Sequence, residues 1–288
     1  MTTFNRTATR TVDAGWRHSI AIRSNGSIIV CGRNDERQIS DTPSGTDFVS
    51  VAAGFRHNLA LRQNGSIVAW GLDNEGQISK VPTEANFSAI AAGFCHSIAL
   101  KNDGTLVVWG LDDNEQISDT PTGNGFIDIV SGGDHNLALR VDGTIATWGR
   151  DDESQISDAP SGDDFIAISS HLDTSIALRQ DGSIVAWGCD VFGEVSGVPS
   201  GNNFVDIASG GEHGLALKKD GSIVSWGGDR NNQVSDTPEG TNFVAVYAGA
   251  DHSLALRQDG SIEAWGDDEY SQTMAIKQAE VKTNSVGR

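Results

Sequence analysis

The sequence predicts an all-β fold, a seven-bladed β-propeller, and two repeating dipeptides predict it. A tryptophan-glycine pair recurs every 39 residues from Trp70 to Trp265, and Cys31 occupies the same register in the first copy. An asparagine-glycine or aspartate-glycine pair precedes each of them, from Asn25 to Asp259. Seven copies cover most of the 288 residues. A fixed period of this length is typical of propellers and solenoids.

The elements of one repeat follow from its turn residues. Asn64 and Gly65 separate two short apolar runs, and such dipeptides tolerate the positive φ of a tight hairpin turn. A run rich in small residues, Phe48 to Gly54, precedes this hairpin and suits the crowded centre of a radial assembly. A short segment, Gln77 to Ser79, follows it and leads into a proline-glycine linker. We therefore expect about four antiparallel strands per 39-residue blade.

The blades are predicted to pack face to face. In the segment Ser66 to Trp70, both alternating sets of side chains are apolar, as in a sheet covered on both sides. Small sheets that cannot bury their faces alone must pack on one another, and a closed ring leaves only short edges. We expect the repeating tryptophans to fill the wedges between blades, with Cys31 leaving the first blade less well filled. One propeller domain spans residues 9–281, between an N-terminal segment (1–8) and a C-terminal tail (282–288).

Composition excludes several partners. The chain has 39 acidic and 20 basic residues, a formal net charge of -19, which repels nucleic acid and anionic membranes. This acidity fits either a high-salt habitat or an aspartate-rich set of turns. The three cysteines have neither disulfide nor metal-ligand spacing. We expect a monomer that is cytoplasmic if Met1 is the native start and secreted if a signal peptide has been removed.

One recurring pattern resembles a known family. Along Val246 to Gly266 the sequence reads, with single departures, Val-x-x-Ala-Gly-x-x-His-Ser-Leu-Ala-Leu-x-x-Asp-Gly-Ser-Ile-x-x-Trp-Gly. It is similar to the repeat of the regulator of chromosome condensation family, and the resemblance extends over nearly the whole chain. The resemblance implies a seven-bladed propeller. The short repeat and the linker at Ile78 to Pro82 are more similar to bacterial members that inhibit β-lactamases than to the eukaryotic exchange factor.

Two loops per repeat vary where the rest is copied. If the strands run outward from the axis in order, both loops lie on one face. They hold 49 residues and 19 of the 39 acidic groups. Aromatic and arginine side chains in a polar surround are typical of protein-binding patches, whereas the alternative is an ordinary solvated surface. The candidate partner-binding residues are Trp16, Arg17, Phe55, Arg56, Phe94, Leu172, Phe192, Arg230 and Tyr270.

Other chemistries are disfavoured. One histidine per repeat gives no set of metal ligands, and the sequence contains no catalytic motif, so we expect no catalytic residue, no cofactor and no metal. In the fifth repeat His171 and Thr174 break the pattern, through either relaxed copying or a specialised site.

The hypothesis is a non-enzymatic protein-binding module, with a basic-patched protein as partner and inhibition of an enzyme such as a β-lactamase as a narrower version. A guanine-nucleotide exchange factor-like regulator and a carbohydrate-binding propeller or lyase are the alternatives.

Overall fold

The computed structural model describes residues 10–281, and the predicted segments 1–8 and 282–288 lie outside them. Every blade is a sheet of three antiparallel strands in chain order, and a short 3-10 helix, Ile276–Gln278, follows the seventh blade. The strands, in seven consecutive sets of three, are β1–β3 (Val12–Ala14, His18–Ile22, Ile28–Gly32), β4–β6 (Phe48–Ala53, His57–Arg62, Ile67–Gly71), β7–β9 (Phe87–Ala92, His96–Lys101, Leu106–Gly110), β10–β12 (Phe126–Ser131, His135–Arg140, Ile145–Gly149), β13–β15 (Phe165–His171, Thr174–Arg179, Ile184–Gly188), β16–β18 (Phe204–Ser209, His213–Lys218, Ile223–Gly227) and β19–β21 (Phe243–Ala248, His252–Arg257, Ile262–Gly266).

The expected all-β propeller is confirmed, with one difference in strand count. The segment predicted as a fourth strand, Gln77 to Ser79, lies in a turn. The carboxylate of Asp73 accepts hydrogen bonds from the backbone amides of Ile78 (2.9 Å) and Ser79 (3.1 Å). These amides are therefore not available to a ladder, since a side chain that bonds local backbone competes with strand pairing.

The hairpin turns have the predicted chemistry. Gly65 has a φ of 84°, the left-handed region that glycine enters without steric cost. The Oδ1 of Asn64 accepts hydrogen bonds from the backbone and the hydroxyl of Ser66. The turn residues therefore fix the register of the two outer strands in each blade.

The repeating tryptophans fill the seams between blades, as predicted. Trp70 is buried among Ile20 and Ile22 of the preceding blade, and its Nε1 donates to the backbone oxygen of Gln38, 2.9 Å away. The equivalent bond recurs for the other five tryptophans of this register, Trp109, Trp148, Trp187, Trp226 and Trp265.

The seam at Cys31 is filled differently from the expectation. The Cys31 thiol donates to the backbone oxygen of Gln272 over 3.3 Å. The space that a tryptophan would occupy is not empty, because Ile276, Ala279 and Val281 are buried in the same cluster as Cys31. The chain after the seventh blade thus completes the packing of the first.

A belt of buried histidines links neighbouring blades. The Nε2 of His18 lies 2.8 Å from Oδ1 of Asn58 in the next blade, and His252 of the seventh blade lies 2.9 Å from Oγ of Ser19 in the first. The ring is therefore closed. The belt histidines, all almost fully buried, are His18, His57, His96, His135, His213 and His252.

Candidate protein-binding face

The two variable loops of each blade lie on one face, as expected. Arg17, in the loop between β1 and β2, bonds Glu269 in the loop after β21 over 2.8 Å. Arg56 likewise bonds Glu36 over 3.1 Å. Because each ion pair joins the first type of loop to the second, both types must emerge on the same side. We call this side the loop face.

Three aromatic rings from consecutive blades form a contiguous stack on the loop face. The ring centroids of Trp16 and Phe55 are 4.2 Å apart with an interplanar angle of 23°. Those of Phe55 and Phe94 are 4.9 Å apart and tilted by 56°. Beyond Phe94 the fourth blade has Gly133, where a Cβ atom would lie 3.0 Å from the Phe94 ring. The glycine thus makes room for the last ring of the stack.

Arginine side chains cover these rings. The guanidinium carbons of Arg17, Arg33 and Arg56 lie 4.8 Å, 5.2 Å and 5.6 Å from the Trp16 centroid, within the range of cation–π attraction. Tyr270, 36% exposed, joins them, since Arg17 lies 5.3 Å from its ring. We call the set Trp16, Arg17, Arg33, Phe55, Arg56, Phe94 and Tyr270 the aromatic-arginine arc.

The remaining four blades present a different surface at the equivalent loop positions. Where blades one to three carry an aromatic ring followed by Arg17, Arg56 or Cys95, blades four to seven carry a small or aliphatic residue followed by a carboxylate. We call these eight residues the acidic arc: Gly133, Asp134, Leu172, Asp173, Gly211, Glu212, Ala250 and Asp251.

Negative charge is least compensated at the end of the acidic arc. Asp134 and Asp173 lie 4.0 Å and 3.8 Å from Arg150 and accept bonds from buried glutamines. Burial raises the pKa of Asp251, and the neighbouring carboxylates Glu212 and Asp267 raise it further. The Oε2 atom of Glu212 is buried without a hydrogen-bond partner within residues 10–281.

The structure brings six of the nine predicted site residues together and separates three. Trp16, Arg17, Phe55, Arg56, Phe94 and Tyr270 are in the aromatic-arginine arc. Phe192 and Arg230 form a separate pair, with the guanidinium 4.5 Å from the ring centroid. Leu172 lies in the acidic arc with a φ of 43°, and its backbone oxygen accepts a bond from Gly133.

Residues that were not among the predicted sites are Arg33 and the carboxylates of the acidic arc. Their signal was present in the sequence. Comparing the residue after each first-loop tip in ring order gives Arg17, Arg56, Cys95, Asp134, Asp173, Glu212 and Asp251. In this order, blades one and two carry a cation and blades four to seven carry an anion, so the two charges lie on different sides of the ring.

In the irregular fifth blade, two repeat residues are replaced together. In the six other blades, a Cβ atom at the glycine before the first loop would lie 2.2–2.7 Å from the ring of the belt histidine of the same blade. Blade five has His171 in place of that glycine and Thr174 in place of that histidine, and the two residues are paired directly across the ladder. An imidazole thus stands on the neighbouring strand, one ladder partner away from the belt position of the other blades.

The axis of the ring is a narrow channel. Its lining includes Asp13, Ser131, Ser170, His171 and Tyr247 around a cavity of about 60 Å³. That volume holds a few waters. In the described part of the chain, no group of three or more histidine, cysteine or acidic side chains is placed to hold a metal ion. Within the same residues, no helix has the length and hydropathy to span a bilayer.

The fold and this face define a closed seven-bladed propeller that carries an asymmetric loop surface. Six segments match the model of the regulator of chromosome condensation (RCC1) repeat: residues 10–38, 48–77, 87–116, 126–155, 204–233 and 243–272. The chain therefore belongs to this repeat family. The unmatched stretch corresponds to the fifth blade, where His171 and Thr174 replace the repeat residues.

Solved structures share the fold at low identity. The CRINKLY WD40 ectodomain of the Arabidopsis thaliana receptor kinase ACR4 aligns with a TM-score of 0.75 and 17% identity over 92% of this chain and 97% of that one. Saccharomyces cerevisiae Prp20p gives 0.71 and 20% over 85% and 81%. Yeast RCC1 (Prp20) bound to Kap60 gives 0.71 and 19% over 99% and 87%. No curated protein matches the chain in sequence.

Proposed function

We propose that this protein is a non-enzymatic binding module that docks another protein on its loop face. The observation that carries the proposal is the aromatic-arginine arc, in which four rings and three guanidinium groups are contiguous although the propeller does not require any of them. Tryptophan, tyrosine and arginine are the residues that most often dominate binding energy at protein interfaces. The arc lies on loop tips, which a rigid ring holds in place before binding, and such preorganisation lowers the entropic cost of association.

The structural neighbours are consistent with this role. The Prp20p structure is described with binding to Gsp1p and histones, and the yeast RCC1 structure holds Kap60. These partners belong to those proteins. For the present chain they support the general class of protein-binding regulator. Inhibition of a partner enzyme, such as a β-lactamase, is the narrower form of the proposal and rests on the repeat resemblance.

The test is the loss of partner capture when the arc is truncated. The double variant Phe55→Ala, Phe94→Ala removes two of the three stacked rings, and we expect about tenfold weaker binding of the partner that the native chain captures from its source lysate. Val141→Ala is the matched control, because Val141 is apolar, 75% exposed and located in a hairpin turn away from the loop face. Equal capture by the double variant and the native chain would refute the proposal. Assays against a panel of β-lactamases test the narrower form separately.

A further inference from the structure

The charges of the loop face are balanced unevenly around the ring. In the aromatic-arginine arc each guanidinium has its own carboxylate: Arg17 pairs with Glu269, Arg33 with Asp35 and Arg56 with Glu36. At the junction of blades six and seven, Glu212, Asp251 and Asp267 lie together. The guanidinium of Arg230 is 3.7 Å from Glu212, with its side chain 67% exposed, and the charge of Arg17, which is already paired with Glu269, also acts on Asp251. A surplus of negative charge therefore remains at Glu212 and Asp251.

This surplus is adjacent to the aromatic stack. The backbone amide of Ala250 donates to the backbone oxygen of Gly15 across the seam between blades seven and one. Asp251 follows Ala250 and Trp16 follows Gly15, so these two residues are neighbours across the seam. Arg17 is close enough to affect the pKa of Asp251 electrostatically, while its hydrogen bond goes to Glu269. An apolar surface and an under-compensated anionic surface thus lie side by side.

The anionic side of the loop face also has smaller side chains at its loop tips. Gly211 and Ala250 stand at the loop positions where Trp16, Phe55 and Phe94 project rings. The Leu172 side chain packs against Gly211, where a Cβ atom would lie 2.8 Å from Leu172 Cδ1. A partner group that rests against the rings can therefore extend a long side chain over Ala250 to the carboxylates. Lysine and arginine combine an apolar stem with a charged end and fit this combination of surfaces.

We propose that the partner of this protein presents a lysine or arginine beside an apolar surface, with the cation on Glu212 and Asp251 and the apolar group on the aromatic-arginine arc. This inference rests on the proposed protein-binding function and adds the partner's chemistry and its orientation. The unequal arcs then admit one docking direction around the sevenfold ring, because a rotated partner would place its cation against Arg17 and Arg56. Like charges placed together in this way disfavour the rotated complex.

The test uses random linear peptides displayed on phage and selected on the immobilised full-length chain. Among the peptides that bind, we expect lysine or arginine within three positions of an aromatic or aliphatic residue to be enriched about fivefold over the unselected library. The double variant Glu212→Gln, Asp251→Asn should lose the basic enrichment and retain the apolar enrichment. Asp113→Asn, Glu153→Gln is the matched control: it removes two exposed carboxylates from loops of blades three and four, and should keep both enrichments.

The outcomes separate this inference from the proposed function. Equal basic enrichment on the native chain and on the Glu212→Gln, Asp251→Asn variant would overturn the inference and leave the docking function standing. Unchanged peptide recovery on Phe55→Ala, Phe94→Ala would count against the docking function itself. Recovery of no binding peptide by the native chain would overturn the inference. Circular dichroism and the unfolding midpoint of each variant confirm that the selections compare folded proteins.

Discussion

The histidine belt predicts steep acid unfolding. Burial lowers the pKa of His18 to about 4 and the pKa values of His57, His135, His213 and His252 to about 3, from an ordinary value of 6.5. Between pH 6.5 and these lowered pKa values, the histidines bind protons in the unfolded chain but stay neutral in the folded chain. Stability is therefore complete above about pH 6.5 and falls as the pH decreases through this window.

The magnitude follows from the number of histidines. One pH unit below 6.5, each of the five costs about 1.4 kcal/mol of folding free energy, or about 7 kcal/mol together. At pH 5 the sum is about 10 kcal/mol, which is within the total stability of ordinary domains, about 5–15 kcal/mol. Burial also lowers the pKa of His96 and, to about 4, that of His171, so both act in the same direction. We expect cooperative unfolding near pH 5.

The measurement is a series of urea titrations between pH 7.5 and 4.5, followed by tryptophan fluorescence. The free energy of unfolding should fall by at least about 7 kcal/mol per pH unit below pH 5.5, which corresponds to uptake of at least about five protons. His57→Gln keeps a side-chain donor toward Ser97, which His57 contacts over 3.0 Å, and should reduce this uptake by about one proton. Constant stability from pH 7 to 5, with loss only below pH 4 where carboxylates titrate, would refute the reasoning.

Three further predictions concern packing between and within blades. Trp109→Phe removes the Nε1 bond to the Gln77 oxygen and should lower the free energy of unfolding by about 2–3 kcal/mol in urea titrations; a loss below about 0.5 kcal/mol would contradict the seam role. Ile276→Ala, at a fully buried position, should cost about 3 kcal/mol by the same assay, and an unchanged midpoint would show that the first seam does not depend on it. Thr174→His should destabilise more by itself than together with His171→Gly, a coupling that a double-mutant cycle detects; strictly additive effects would disprove the exchange between the two positions.

Much of the fold was predictable because the repeat is strict. The Asn64-Gly65 turn and the alternation that follows it dictate two strands and their register, and the period repeats that information seven times. The fourth strand, expected from the short segment after the hairpin, was wrong because Gln77 to Ser79 folds as a turn. The backbone amides of this segment bond the side chain of Asp73 instead. From the sequence alone, the strength of such a local hydrogen bond is hard to compare with that of strand pairing.

The candidate site was predictable only in part, because contacts between blades depend on ring geometry. Trp16 and Phe55 are 39 residues apart, and nothing within one repeat indicates that their rings stack. Phe192 and Arg230 had the same residue types, yet they lie apart from the stack. The division into a cationic and an anionic side could be predicted by comparing the loop tips of the repeats in order. Each repeat has a known place in the ring, so the order of the repeats shows which tips are neighbours.

The seam at Cys31 has a consequence for biosynthesis. It joins residues separated by more than 230 positions, as the bonds from His252 to Ser19 and from Cys31 to Gln272 show, and its filling includes Ile276 and Val281. A ribosome that is still translating the seventh blade holds an open chain whose first sheet has one uncovered flank. The propeller becomes a ring only when the seventh blade and the residues up to Val281 have been made, so the exposed apolar flank of the first blade remains an aggregation risk until then.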